Sequence, residues 1–324
     1  MPAPLKIGTR ESELAKWQAN LVESLLHENG VESELVYISS EGDIDLVTPL
    51  YDMGVQGIFT KTLDVALLNK RIDIAVHSYK DVPTQLPIGI QQAAVLKRGS
   101  YKDVLVLKDL SEETLRSFGI INDKNVLWND DVDCPVPHII ATSSIRRKAQ
   151  WLHRFPKDEM ENLRGNVNTR LKKLHESNWH GAIFAAAGLE RIGLRSEQAI
   201  DLDWMLPAPA QGAILIVCRT EDEKVFDYCR PLNDEVTEKA TAVEKSFLKA
   251  LMGGCSTPIG ALAKVENDTI YFTGNICSTD GNEIITVTKS GSVGDYNFIA
   301  IEAAEEIKNN PAALRIMNEI HHEF

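Results

Sequence analysis

Ile139-Ile140-Ala141-Thr142-Ser143-Ser144-Ile145-Arg146-Arg147 is the stretch whose reading decides the fold. Three apolar residues of strand character run into hydroxyl-bearing residues. A helical period then begins at Ile145, with Ala149, Leu152 and Phe155 expected on its buried face. A strand that turns straight into a helix is the building unit of an α/β domain. The same device stands near the start of the chain. Residues 5–8 read as a strand, Thr9-Arg10-Glu11-Ser12 as the turn, and Leu14, Trp17, Leu21, Val22 and Leu25 as the stripe of a helix ended by Asn29-Gly30.

Working outward, residues 34–39, 73–77, 102–108, 181–187 and 212–219 read as further strands. Phe59, Leu63 and Leu67 mark one helix, and Leu163-Arg164-Gly165-Asn166 opens another carrying Val167, Leu171 and Leu174. This alternation predicts two mostly parallel α/β sheets. Residues 40–57 have no clean period and read as a mobile loop or lid. Whether residues 212–219 stay with the second sheet or return to the first is open at this level. The last hundred residues differ: a helix from about 235 to 251, three short strands with turns at Asn267-Asp268 and Asp280-Gly281, and a helix over 296–308. That pattern is a small α+β domain.

A chain of 324 residues, 44% apolar and 25% charged, is globular and large enough for two or three domains. Five cysteines, without a CxxC, argue against a disulfide framework and against a zinc site. A net charge of −13 argues against nucleic acid as a partner. No apolar run is long enough to span a bilayer, and Met-Pro-Ala-Pro-Leu-Lys lacks the core of a signal peptide. A soluble cytoplasmic protein is the expectation. GxxxxGK[ST], GxGxxG after a strand, HExxH and GxSxG are all missing from the sequence.

Positive charge is gathered in short motifs against this acidic background, which points to a small anionic ligand. Arg10 with Ser12, and Arg146-Arg147 with Thr142, Ser143 and Ser144, stand where a strand meets a helix N-terminus, a natural anion site. Helix capping alone accounts for the hydroxyls, but cations in a first turn oppose the dipole. Arg164 and Arg170 flank a second helix start, and Arg191 follows Ala185-Ala186-Ala187-Gly188. His77-Ser78-Tyr79-Lys80-Asp81-Val82-Pro83 closes a strand, where α/β sheets bind ligands. Taken alone, Lys80-Asp81 also fits a solvated surface pair. In Met252-Gly253-Gly254-Cys255-Ser256-Thr257-Pro258 two glycines and a proline end the helix, leaving Cys255 as either a small buried apolar residue or an offered thiol.

Gly-Thr-Arg-x-Ser-x-Leu-Ala, His-Ser-x-Lys-Asp-Val-Pro, Thr-Ser-Ser-Ile-Arg-Arg, Arg-Gly-Asn-Val-Asn-Thr-Arg-Leu, Ala-Ala-Ala-Gly-Leu-x-Arg, Gln-Gly-Ala and Gly-Gly-Cys-Ser-x-Pro-Ile-Gly-Ala occur in this order. From Ile7 to about Ala263 the chain thereby resembles the porphobilinogen deaminase (hydroxymethylbilane synthase) family. The resemblance implies two α/β domains like the lobes of periplasmic binding proteins and a small C-terminal α+β domain. The division expected is 1–98 with 207–228, then 99–206, then 229–324.

It further implies a monomeric, cytoplasmic transferase of haem or other tetrapyrrole biosynthesis. Such an enzyme condenses four porphobilinogens, with loss of ammonia, into hydroxymethylbilane. Its dipyrromethane cofactor would be held as a thioether on the matching Cys255. By the same matching Asp81 is the catalytic carboxylate. Lys80, Thr142, Ser143, Ser144, Arg146, Arg147, Arg170 and Gly188 match cofactor-binding positions. Arg10, Ser12, Phe59, Arg164, Arg191 and Gln211 match substrate-binding ones. Neither metal, nucleic acid nor membrane is expected. The chain departs from the family in having no lysine from Gly42 to Thr60, in Ala141, in Pro209-Ala210, in Lys61-Thr62-Leu63-Asp64, and in an apparent insertion over residues 120–137 that includes Trp128 and Cys134. Two other readings stay in view: a non-catalytic anion receptor, and a thiol hydrolase, which would need a base near Cys255.

Overall fold

The computed structural model describes residues 3–39, 60–122, 126–128, 137–197, 199–251 and 257–323. The chain opens with β1 (Leu5–Thr9), α1 (Glu13–Glu28), β2 (Ser33–Tyr37), α2 (Lys61–Leu68), β3 (Ile74–Ser78) and β4 (Ile90–Val95). Next come β5 (Asp103–Leu107), α3 (Glu112–Ser117), β6 (Ile120–Asn122), β7 (Val126–Trp128) and β8 (Ile139–Ala141). They are followed by α4 (Ile145–Arg154), β9 (Glu159–Glu161), α5 (Val167–Glu176), β10 (Gly181–Ala185), α6 (Ala186–Arg191) and β11 (Ala199–Asp201). The remainder is β12 (Ile214–Arg219), α7 (Glu223–Cys229), α8 (Glu235–Ala250), β13 (Ile259–Glu266), β14 (Thr269–Cys277), β15 (Ile284–Ser292), α9 (Tyr296–Lys308) and α10 (Pro311–Glu323).

Two five-stranded sheets result, in the orders β2-β1-β3-β12-β4 and β11-β5-β10-β8-β9. Each carries one reversed strand. β12 runs antiparallel to β3 and β4, and β5 runs antiparallel to β10 and β11. The expected parallel bias therefore gives way to mixed sheets. The reason is connectivity: β5 follows the first passage of the chain from one sheet to the other, and β12 follows its return. β5 is buried along its whole length, as is β12, which is why residues 104–107 and 214–218 read as apolar runs. Apolar layers cover both faces of each sheet, with Val22, Leu26 and Ile216 on one face of the first and Leu63, Leu67 and Leu215 on the other. Trp151 and Phe118 fill one side of the second sheet, and Leu163 and Leu174 the other.

Helix starts follow local chemistry. Ser12 Oγ accepts from Ala15 N at 3.3 Å, Asn166 Oδ1 from Thr169 N at 2.9 Å and Asp234 Oδ1 from Thr237 N at 2.8 Å. Two helix faces differ from the periodic reading. α1 buries Gln18, Ala19, Val22 and Leu26, leaving Trp17 36% exposed. α4 buries Arg146, Arg147, Ala149, Gln150 and Trp151 in place of the face through Leu152. Polar anchors turn α4: Arg146 Nη1 and Gln150 Nε2 donate to the Leu206 carbonyl at 2.7 and 3.0 Å. Ala186 and Ala187, expected in a strand, begin α6 instead.

The third unit packs β13–β15 as an antiparallel meander against α8, α9 and α10. Asn267 and Asp268 take left-handed φ values of 48° and 60° in the tight β13–β14 turn. α10 was not anticipated; Pro311 is its first residue, and proline is tolerated at a helix start because its missing N–H would be unpaired there. α8 also reaches the other units. Glu244, fully buried, pairs with Arg98 at 2.6 Å and accepts from the amides of Ala210 and Ala263. Lys245 Nζ donates to the carbonyl of Val82, the residue after Asp81. Within residues 120–137, β6 and β7 pair as a hairpin; Cys134 lies outside the described residues, as does the expected lid over 40–57.

Gly212 stands where the chain re-enters the first sheet, with φ +86°, and a Cβ there would lie 2.5 Å from the Ser100 carbonyl oxygen. Gly212→Ala is expected to cost about 2–4 kcal/mol through strain and backbone displacement. A lower denaturation midpoint in urea measures it; an unchanged midpoint would show that the two passages part without cost.

Candidate active site

The carboxyl ends of β1, β3, β8 and β10 all open onto one cleft of about 620 Å³. Both sheets supply its walls: Arg10, Ser12, Lys80 and Asp81 from the first, Ser143, Ser144, Arg146, Arg147, Arg164, Arg170, Gly188 and Arg191 from the second, with Gln211 at the join. Seven lysines and arginines line it against three carboxylates, in a chain whose net charge is −13. The positive charge is thus concentrated where a ligand would sit.

Local structure explains the placement. Ser12 caps α1, as capping alone would require, whereas Ser144, the N-cap of α4, makes no side-chain capping bond. The cleft-lining end of α4 therefore keeps amide N–H groups that its own cap residue does not satisfy. Thr142 is not among the lining residues. It is buried, with its hydroxyl accepting from Ser144 N at 3.3 Å. Gly165, at φ +114°, lets Asn166 cap α5, and Arg170 Nε folds back onto the Gly165 carbonyl at 2.8 Å. Arg164 is buried at the foot of the same turn. Arg191 donates to the Gly212 carbonyl at 2.7 Å and lies 5.6 Å over the Trp17 ring, so much of its reach is used to join the two sheets. Phe59 and Cys255 lie outside the described residues. The described residues on either side of Cys255 are Leu251, the C-cap of α8, and Thr257.

The cations press on one another. Burial, then Arg147, lowers Arg170 to about 10, and burial lowers Arg191 to about 10. Lys80 falls to about 8 by burial, with Asp81 opposing and Arg147 assisting. His77 is pushed down to about 4 by burial and by Arg10, which leaves it neutral near pH 7, so it adds no positive charge to the cleft. Arriving carboxylates would relieve this repulsion, each charge-assisted hydrogen bond contributing about 1.5–3 kcal/mol. Arg146 Nε, buried, has no hydrogen-bond partner among the described residues. A polycarboxylate such as a linked pair of pyrroles suits this donor set.

One residue escaped the sequence reading. Asp103, fully buried behind the cleft, pairs with Arg146 at 2.8 Å and Arg147 at 2.7 Å. Its only sequence signal was a lone carboxylate heading an apolar strand.

A basic cleft between two mixed α/β sheets, with one carboxylate set among arginines, defines a protein that handles small polycarboxylates. The chain belongs to the porphobilinogen deaminase family. "Porphobilinogen deaminase, dipyromethane cofactor binding domain" matches residues 5–227, and "Porphobilinogen deaminase, C-terminal domain" matches residues 239–309. It is a transferase that polymerises porphobilinogen into hydroxymethylbilane with a dipyrromethane cofactor. Among solved structures the chain is similar to the methionine-binding protein MetQ, at 12% identity and TM-score 0.41, covering 75% of this chain and 93% of that one. It is also similar to the periplasmic VFT2 domain of Bordetella pertussis BvgS, at 10% identity and TM-score 0.39, covering 70% and 85%. YhfZ from Shigella flexneri matches at 13% identity and TM-score 0.34, covering 76% and 96%.

Lys80 yields a pH prediction. Its folded value lies below the ordinary 10.5, so the ammonium is fully present below about 8 and is lost as pH rises through it. Affinity for porphobilinogen, read as KM, should weaken above pH 8, and Lys80→Arg should remove that limb. An identical alkaline limb in Lys80→Arg would exclude Lys80 as its source.

Proposed function

We propose that the cleft is where this chain elongates its pyrrole chain, with Asp81 as the catalytic carboxylate and Cys255 as the thioether anchor of the dipyrromethane. The observation that carries the reading is the setting of Asp81. It closes the turn after β3 at the cleft wall, half-buried, and its charge acts on both Lys80 and Arg170. A carboxylate so placed can face a pyrrole N–H while cations on either side hold the acetate and propionate arms. Losing ammonia leaves porphobilinogen electron-poor, and a fixed negative charge stabilises the positive charge that develops. The same oxygen atoms can take the proton released from the attacked α-carbon. Lys245, which donates to the Val82 carbonyl, steadies the turn from behind.

Arg146, Arg147, Arg170 and Lys80, with Ser143, Ser144 and Gly188, would hold the cofactor, whose role when bound is to offer a free α-position for chain growth. Thr142 would act through the Ser143-Ser144 turn. Arg10, Ser12, Phe59, Arg164, Arg191 and Gln211 would meet the incoming substrate. Residues 1–98 with 207–228 and residues 99–206 would be the two lobes, and 229–324 the cofactor-bearing domain. Sheet membership supports this division, since β12 pairs with β3 and β4. No helix among the described residues is long and apolar enough to cross a membrane. A cytoplasmic monomer is the corresponding proposal for location and assembly.

Intact-protein mass spectrometry tests the anchor. The purified chain should carry the mass of two linked pyrrole units, and Cys255→Ala should lose it; an unmodified chain that is active would refute the assignment. For Asp81→Asn the expectation is near-normal cofactor content with turnover down about 10²–10⁴-fold. Normal turnover in that variant would take Asp81 out of the mechanism.

A further inference from the structure

We propose that Asp103 is a positioning residue for this reaction, a buried counter-ion that presets the guanidiniums of Arg146 and Arg147 and, through Gln211, the ammonium of Lys80. The proposal rests on the cleft being the site of pyrrole-carboxylate binding. Asp103 is the first residue of β5, fully buried, and is not among the residues lining the cleft. It stands behind them. Its Oδ2 lies 2.8 Å from Arg146 Nη1, and its Oδ1 lies 2.7 Å from Arg147 Nη2 and accepts from Arg147 Nε at 3.0 Å.

Gln211 completes the arrangement. Its Nε2 donates to Asp103 Oδ1 at 3.0 Å and to the Tyr101 carbonyl at 2.8 Å, while its Oε1 accepts from Lys80 Nζ at 3.3 Å. One amide group faces only acceptors and the other faces an ammonium, so the side chain has a single orientation. The five residues link both sheets: Lys80 follows β3, Gln211 precedes β12, Asp103 heads β5 and the two arginines open α4. Two adjacent arginines on one first turn repel each other and the helix dipole. A single carboxylate between them offsets that repulsion; it fixes the Arg147 plane through a hydrogen bond and holds the charge of Arg146, whose Nη1 donates to the Leu206 carbonyl, at 2.8 Å. Although burial opposes it, the two guanidiniums hold the Asp103 carboxyl down at about 2, so it stays ionised at working pH. Lys80 is faced by Asp81, Arg147, Asp103 and Arg146, and Asp103 is one of the two charges that keep it protonated.

Asp103→Asn separates positioning from bulk charge because the two predict opposite signs. The variant makes the cleft more positive by one charge. Were the arginines acting as charge alone, KM for porphobilinogen would fall. Positioning predicts a KM raised about tenfold or more, as for a lost charge-assisted hydrogen bond. It also predicts a smaller fraction of chains carrying the two-pyrrole mass and an alkaline limb moved to lower pH as Lys80 loses support. An unchanged or lowered KM with wild-type loading overturns the proposal.

If Asp103→Asn does not fold, Asp103→Glu keeps the charge and displaces the carboxylate by one methylene. A raised KM with the wild-type alkaline limb then supports positioning, and a wild-type KM overturns it. A wild-type chain with neither the two-pyrrole mass nor turnover would overturn the functional reading and this proposal together. A loaded, active wild type beside a variant of wild-type KM overturns this proposal alone.

Discussion

The chain crosses between its two sheets twice, and a buried ion cluster sits where the passages meet. Asp103 begins the strand entered on the first passage, and Gln211 and Gly212 end the return. Gly99 N donates to the Gly212 carbonyl at 3.0 Å, and the Gln211 amide spans to Tyr101 and Asp103. Removing one partner from a buried ion cluster costs about 3–5 kcal/mol, chiefly because the remaining charge is stranded out of water. The join between the sheets and the attitude of the cleft arginines are therefore one structural fact. Neither can change without the other.

The third unit is fastened to the same join. Glu244 binds Arg98, whose Nε donates to the Gln211 carbonyl at 2.8 Å, and it caps the amide of Ala210, a residue held at a left-handed φ of 63°. Lys245, the next residue, reaches the turn that ends at Asp81. The helix that precedes Cys255 in the chain thus touches both the turn at Asp81 and the join. On the proposed reading, a covalent arm on Cys255 would start beside an element already packed against both.

Net acidity and a basic cleft are compatible because their scales differ. The acidic excess is a property of the chain as a whole, and the field of exposed charges is screened within a Debye length of about 8–10 Å. Inside the cleft burial lowers the proton affinity of Arg170 and Lys80, and the neighbouring Arg147 lowers it further. If the cleft holds the growing chain as proposed, each added pyrrole would bring negative charge to groups that otherwise repel.

Much was written locally. Strand–turn–helix periods placed β1–α1 and β8–α4, turn residues placed the β13–β15 meander, and the seven ordered motifs identified the family and contain all seven lining cations. Those signals depend on residues adjacent in the chain: caps, glycines, and apolar residues at fixed spacing. The reversed strands, the turned face of α4, the short helix α6 and the helix after Pro311 were not legible, because each depends on what a segment packs against. Asp103 shows the limit most clearly. In sequence it is one acid before Val104-Leu105-Val106-Leu107, 43 positions from Arg146. Only folding brings it beneath two guanidiniums, and only in that low-dielectric setting does one carboxylate govern the geometry of the cleft. The sequence determined which charges the protein possesses; the tertiary structure decided which of them face the ligand and which hold the others in place.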